Sequence, residues 1–152
     1  KLPGLEPRGA LVVDLDLPGG PLRIVAAHLG LLRRSRALQV TALLSIAKPQ
    51  DDRSVLLVGD LNEWRLGDKS VLQRLAPYFS PLHAPIPSFP ARFPIFALDR
   101  VLGYPHNLVS SVTLHDTPLA RVASDHLPLK AMIDLSARGS DQACVSDGLA
   151  AA

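Results

Sequence analysis

Asp60 and Asn62 stand two residues apart at the end of an apolar run, Val55-Leu56-Leu57-Val58, with Gly59 between the run and the pair. In an extended backbone that spacing turns both side chains to the same side. A carboxylate placed there can hold a hard cation or take a proton from water, and an amide can hold a phosphate oxygen. Three more polar sets occupy comparable places: His28 after Leu22 to Ala27, Asp99 with Arg100, and Asp125 with His126 in Ser124-Asp125-His126-Leu127-Pro128. Ligands of open α/β sheets bind beyond the carboxyl ends of strands, so such residues can share one cleft. Each set also has a plainer account. An Asp-x-Asn turn can merely end a strand, and Ser-Asp-His before a proline can be a capped turn. His28 can be a satisfied strand-end histidine, and Asp99-Arg100 a surface ion pair of little worth. Four sets at strand ends or loops of one α/β domain are less expected by chance than any one of them.

The elements that would position these residues follow from periodicity. Leu11 to Leu17 alternates, with Leu11, Val13, Leu15 and Leu17 on one face and Val12, Asp14 and Asp16 on the other. Pro18-Gly19-Gly20-Pro21 is a turn, and Leu22 to His28 a second strand, which together predict a β-hairpin. Residues 33–47 read as an amphipathic helix with a stripe of Ala37, Val40, Thr41, Leu44 and Ala47. Arg33, Arg34 and Arg36 in its first turn oppose the helix dipole. Either they form a solvated face or something other than helix stability holds them there. The run 55–58 is apolar at every position and reads as a strand buried on both faces.

A short helix is expected around 69–75. Residues 77–94 hold six of the fourteen prolines and cannot form a regular element, so they read as a functional loop or rim that includes His83, Phe89, Arg92 and Phe93. Strands are expected at 97–102, 108–115 and 129–135, with a loop at 123–128. Residues 1–7 read as a linker or cut site, and residues 136–152 as a poorly ordered tail.

Composition narrows the classes. With 47% hydrophobic and 20% charged residues in a chain of 152, one globular domain with an ordinary core is implied. The net charge of +2 is too close to balance to argue for nucleic acid by bulk electrostatics. Cys144 is the single cysteine, which excludes an intrachain disulfide and a multi-cysteine zinc site. No apolar run is long enough to span a membrane, and a cytoplasmic location is the expectation. Glu6 and Glu63 are the only glutamates among 14 acidic residues.

The motifs Ala27-His28-Leu29, Gly59-Asp60-Leu61-Asn62, Leu98-Asp99-Arg100-Val101 and Ser124-Asp125-His126-Leu127-Pro128 occur in an order that resembles the C-terminal half of the endonuclease/exonuclease/phosphatase superfamily. That superfamily comprises metal-dependent phosphoesterases. The resemblance covers residues 8–135. It implies half of a four-layer α/β/β/α sandwich, an α/β (α+β) fold with a mixed, mostly antiparallel sheet and helices on one face. It further implies that Asp60 orients or deprotonates the attacking water and that Asn62 holds a phosphate oxygen. His126, oriented by Asp99, would donate to the phosphate, with His28 contacting it from the other side. Asp125 and Asp60 would serve metal binding, the ion being Mg²⁺ or Mn²⁺, and Arg100 would brace the pocket.

The family takes a metal-binding glutamate from an N-terminal half, and neither Glu6 nor Glu63 matches its position. The expectation is therefore metal-dependent hydrolysis of phosphodiester bonds, in nucleic acid or phospholipid-type substrates, by a longer parent, with this chain inactive alone. The alternatives are a non-catalytic binding or assembly module and a phosphomonoesterase. The expected partners are a phosphodiester substrate, the missing N-terminal half, and a second copy of the chain joined through a bare sheet face.

Overall fold

The computed structural model describes residues 1–49, 52–79 and 84–137. His83, Cys144 and residues 138–152 of the expected tail lie outside the described residues. The hairpin is present as β1 (Ala10–Leu17) and β2 (Gly20–Ala27), antiparallel and in full register from Ala10 opposite Ala27 to Leu17 opposite Gly20. The crossover helix α1 (Arg33–Ala47) then returns the chain to β3 (Ser54–Asp60), which runs parallel to β2. Next, β4 (Asp99–Tyr104) adds antiparallel to β3, so the first sheet has the order β1-β2-β3-β4. The stretch expected as a short helix forms two 3-10 turns, Gly67–Lys69 and Val71–Arg74. A one-turn helix absent from the sequence reading, α2 (Ala120–Ala123), precedes the Ser124-Asp125-His126 loop.

Alternate residues of β3 meet different neighbours, which is why the run carries no polar residue between 55 and 58. Val55 and Leu57 join Val25, Val40, Leu43 and Leu102 in the core beneath α1. Leu56 packs on the opposite side with Leu22, Leu108 and Val109, and Val58 packs against that cluster. The cover on that side comes from a second, two-stranded sheet, β5 (Val109–Leu114) and β6 (Leu129–Ile133). This corrects the expectation of one sheet with a wholly bare face: the chain supplies helix, sheet and the beginning of a second sheet. Cover stops short of β1, where Leu11 is 65% exposed and Val13 and Leu17 also face out.

Two further expectations need correction. The buried stripe of α1 comprises Ser35, Arg36, Gln39, Val40, Leu43 and Ala47, while Thr41 is exposed. The stripe is rotated because Arg36 and Gln39 serve the backbone of the loop after His28, as described below. Residues 1–7 also do not behave as a loose linker. Leu2 is 3% exposed within the main core, and its amide donates to the Arg8 carbonyl at 2.8 Å. Glu6 accepts from the amides of Leu31 and Leu32, supplying at the start of α1 the anion that its own first turn lacks. Among the described residues no helix is long and apolar enough to cross a membrane.

Candidate active site

Gly59 brings the first two motifs together. Its φ of +128° suits glycine, and a Cβ there would lie 2.0 Å from the Ala27 carbonyl oxygen. The absence of a side chain lets the ends of β2 and β3 close up, and the Leu29 amide then donates to the Asp60 carbonyl at 2.9 Å. His28 thereby comes beside Asp60, with Nε2 3.4 Å from Oδ2. The other carboxylate oxygen, Oδ1, accepts from the Asn62 amide at 2.9 Å, which fixes the carboxylate plane.

Asn62 adopts a left-handed φ of +50°, a conformation asparagine tolerates better than most residues. Its side chain points inward. The residue is 3% exposed, and Nδ2 donates to the Leu29 carbonyl at 2.8 Å. One amide proton therefore braces the His28 loop, a use the sequence reading did not foresee.

The other half of the cleft forms around Asp99, at the start of β4 and paired in register with Asp60. His126 Nδ1 lies 2.8 Å from Asp99 Oδ2. A carboxylate only accepts, so Nδ1 carries the proton and Nε2 faces the cleft, 3.9 Å from Asp60 Oδ2. Two imidazoles thus converge on one carboxylate oxygen. Burial pulls the His126 pKa down. The hydrogen bond and charge of Asp99, with the fields of Asp60 and Asp125, outweigh it, and the net shift is upward from the ordinary value.

His28 is set up differently. Its Nδ1 lies 3.4 Å from the Arg8 guanidinium, which can only donate. That contact leaves the Nε2 proton of a neutral ring directed at Asp60. Arg8 is itself held by Glu6, at 3.0 Å.

The Pro-rich segment, expected as a functional loop or rim, supplies Phe89 from that expectation and Ser88, which composition did not reveal. Ser88 is fully buried and its hydroxyl donates to Asp99 Oδ2, while the Phe89 ring lies 4.8 Å from the His126 ring. Backbone bonds from Leu127 to Ser88 and from Ala91 to Asp125 tie this segment to the histidine loop. No sequence signal marks Ser88 beyond its lying shortly before Leu98-Asp99. Arg100 is a brace: its guanidinium donates to the carbonyls of Ala97, Asp99 and Glu63.

Asp125 is exposed, and its carboxylate accepts from the adjacent Ser124 hydroxyl at 3.4 Å. Among the described residues no group of three or more His, Cys, Asp or Glu side chains could hold a metal ion. Asp60 Oδ2 faces imidazoles and Oδ1 a backbone amide. Asp60 and Asp125, the residues expected to serve a Mg²⁺ or Mn²⁺ ion, are thus not part of any such group among the described residues.

The fold and this grouping of residues define a class. The chain carries the endonuclease/exonuclease/phosphatase fold: it superimposes on an endonuclease/exonuclease/phosphatase from Beutenbergia cavernae with a TM-score of 0.65 at 23% identity, covering 82% of this chain and 38% of that one. A beta toxin variant from Staphylococcus aureus with bound magnesium ions shares the fold at TM-score 0.56 and 17% identity, over 84% of this chain and 58% of that one. In sequence the chain is 34% identical over 140 residues to the uncharacterized protein YbhP of Escherichia coli. That match takes in 87% of this chain, and the chain spans about half (54%) of YbhP's length. No protein-family model matches the chain.

Proposed function

We propose that this chain supplies the acid–base half of a phosphodiesterase site in a longer parent, and that the parent hydrolyses phosphodiesters by in-line attack of water. The observation that carries the reading is the convergence of His28 and His126 on Asp60 Oδ2, with Asp99 behind His126. In this reading Asp60 orients the attacking water or takes its proton. His126, protonated more readily than an ordinary histidine, points Nε2–H at a phosphate oxygen and offsets the charge that develops there. Asp99 and Ser88 hold that ring in place. His28 offers a second donor from the opposite wall, and Asn62 keeps the two loops in register through its bond to the Leu29 carbonyl, its second amide proton being assigned in this reading to a phosphate oxygen.

Dependence on Mg²⁺ or Mn²⁺ belongs to the proposal through the fold, since the beta toxin of the same fold holds magnesium ions. The described residues do not hold such an ion alone. Residues 1–152 by themselves are accordingly proposed to be inactive.

The test compares chromogenic diester and monoester substrates with the full-length protein. Diester turnover that chelation abolishes and Mg²⁺ or Mn²⁺ restores supports the reading. Turnover of monoesters alone would replace it with a phosphomonoesterase, and no turnover of either would favour a binding module.

A further inference from the structure

Of the three arginines in the first turn of α1, Arg33 and Arg34 are exposed, while Arg36 is fully buried. A cation opposes the dipole at a helix start, so the burial of this guanidinium calls for another reason. Its contacts give the reason. Nη1 donates to the carbonyls of Gly30, at 3.1 Å, and Leu31, the two residues that follow the His28 and Leu29 turn. Nη2 faces Glu63 Oε1 at 3.6 Å, an ion pair between two side chains with no exposure. The Trp64 ring lies 4.9 Å from the guanidinium carbon.

Glu63 is the residue after Asn62, and its carboxylate also accepts from the amides of Arg65 and Val71. Gln39, one turn on from Arg36, accepts from the Gly30 amide at 2.8 Å. One buried fork therefore grips the loop that carries His28 and the loop that carries Asp60 and Asn62.

We infer that Arg36, paired with Glu63, is a positioning residue that sets the distance between His28 and Asp60. The inference rests on the proposed phosphodiesterase reading for its effect on rate, but its geometric part does not. The bond between the Leu29 amide and the Asp60 carbonyl reports the same juxtaposition without any reaction. If the fork opens, that amide becomes exchangeable while the centre of β3 stays protected.

The experiment uses the full-length protein with the paired change Arg36→Met and Glu63→Gln. Removing both charges avoids stranding one buried ion, which by itself would unfold the site. Gln keeps an acceptor for the Arg65 amide. The expected result is a melt that stays cooperative at a lower midpoint, because the Gly30 and Leu31 carbonyls lose their donor, with a kcat lower by about 10²-fold, the cost of a displacement near 1 Å, and KM little changed. Exchange at the Leu29 amide rises while that of Leu57 does not.

Arg36→Lys is the second variant, because lysine keeps the charge but cannot span both carbonyls and Glu63. It should fold, and should likewise lose kcat with KM held. A folded variant of either kind with wild-type kcat and slow Leu29 exchange overturns the inference. Absence of diester turnover in the wild type overturns the functional reading instead, and Leu29 exchange then decides the clamp alone.

Discussion

Replacing Gly59 with alanine perturbs the contact that joins β2 to β3 and His28 to Asp60. A Cβ on this residue would sit 2.0 Å from the Ala27 carbonyl oxygen, where real contacts essentially never fall under 3.0 Å. The strands must therefore part by about 1 Å, or the backbone must leave its φ of +128°. Strain of a side chain in that conformation costs about 1–3 kcal/mol, and forced overpacking adds about 1–3 kcal/mol. The total, roughly 2–6 kcal/mol, is a large part of the 5–15 kcal/mol of an ordinary domain. Gly67 gives the control: its φ is +56° with nothing within 4 Å of an added Cβ, so Gly67→Ala should cost only the left-handed penalty of about 1–2 kcal/mol. Urea unfolding of both variants reads the difference as a shift in midpoint at constant slope. Diester turnover of the full-length protein should fall in Gly59→Ala even where it stays folded, since about 1 Å of misplacement costs on the order of 10²-fold. A Gly59→Ala protein no less stable than Gly67→Ala, with full turnover, would refute the argument that close approach here builds the site.

Other expectations follow from the same geometry. His126 binds its proton more tightly in the fold than unfolded. Its contribution to stability is therefore full below the ordinary histidine value of 6.5 and is lost as pH rises through the raised folded value. Asp99→Asn should flatten that part of the stability profile, and a denaturation series across neutral pH shows whether the slope survives. Leu11, Val13 and Leu17 leave apolar surface on β1 beyond the reach of β5 and β6, so residues 1–152 prepared alone should self-associate at micromolar concentration. Sedimentation reading a clean monomer would count against that.

How much of this the sequence revealed depends on whether a residue's surroundings are local. The apolar run 55–58, the pair Asp60 and Asn62, and His28 at a strand end were legible because strand period and strand-end polarity are short-range properties. The pairing of His126 with Asp99 was reached through the resemblance of their motifs, and the two stand within hydrogen-bond distance. The role of Arg36 stayed open between a solvated face and something else, because nothing in the letters shows that its guanidinium, like the Gln39 side chain, meets the backbone of the loop just before the helix. The bond from Asn62 to the Leu29 carbonyl was not legible, since nothing local shows that Leu29 would claim one of its amide protons. The second sheet was missed for a similar reason: periodicity finds β5 and β6 but not the surface of β3 on which they pack. Leu2 and Glu6 sit in a Pro- and Gly-rich stretch whose composition suggested a tether, yet one side chain fills the core and the other caps α1.

The central claim is that Asp60 and His126 act together on a phosphodiester. It is tested most directly by diester turnover in the full-length protein carrying Asp60→Asn or His126→Ala, each checked for a wild-type melt. Both changes should lower kcat by at least about 10²-fold, the lower end of what a positioned acid or base contributes. Undiminished turnover in either folded variant would contradict the account and place the chemistry elsewhere.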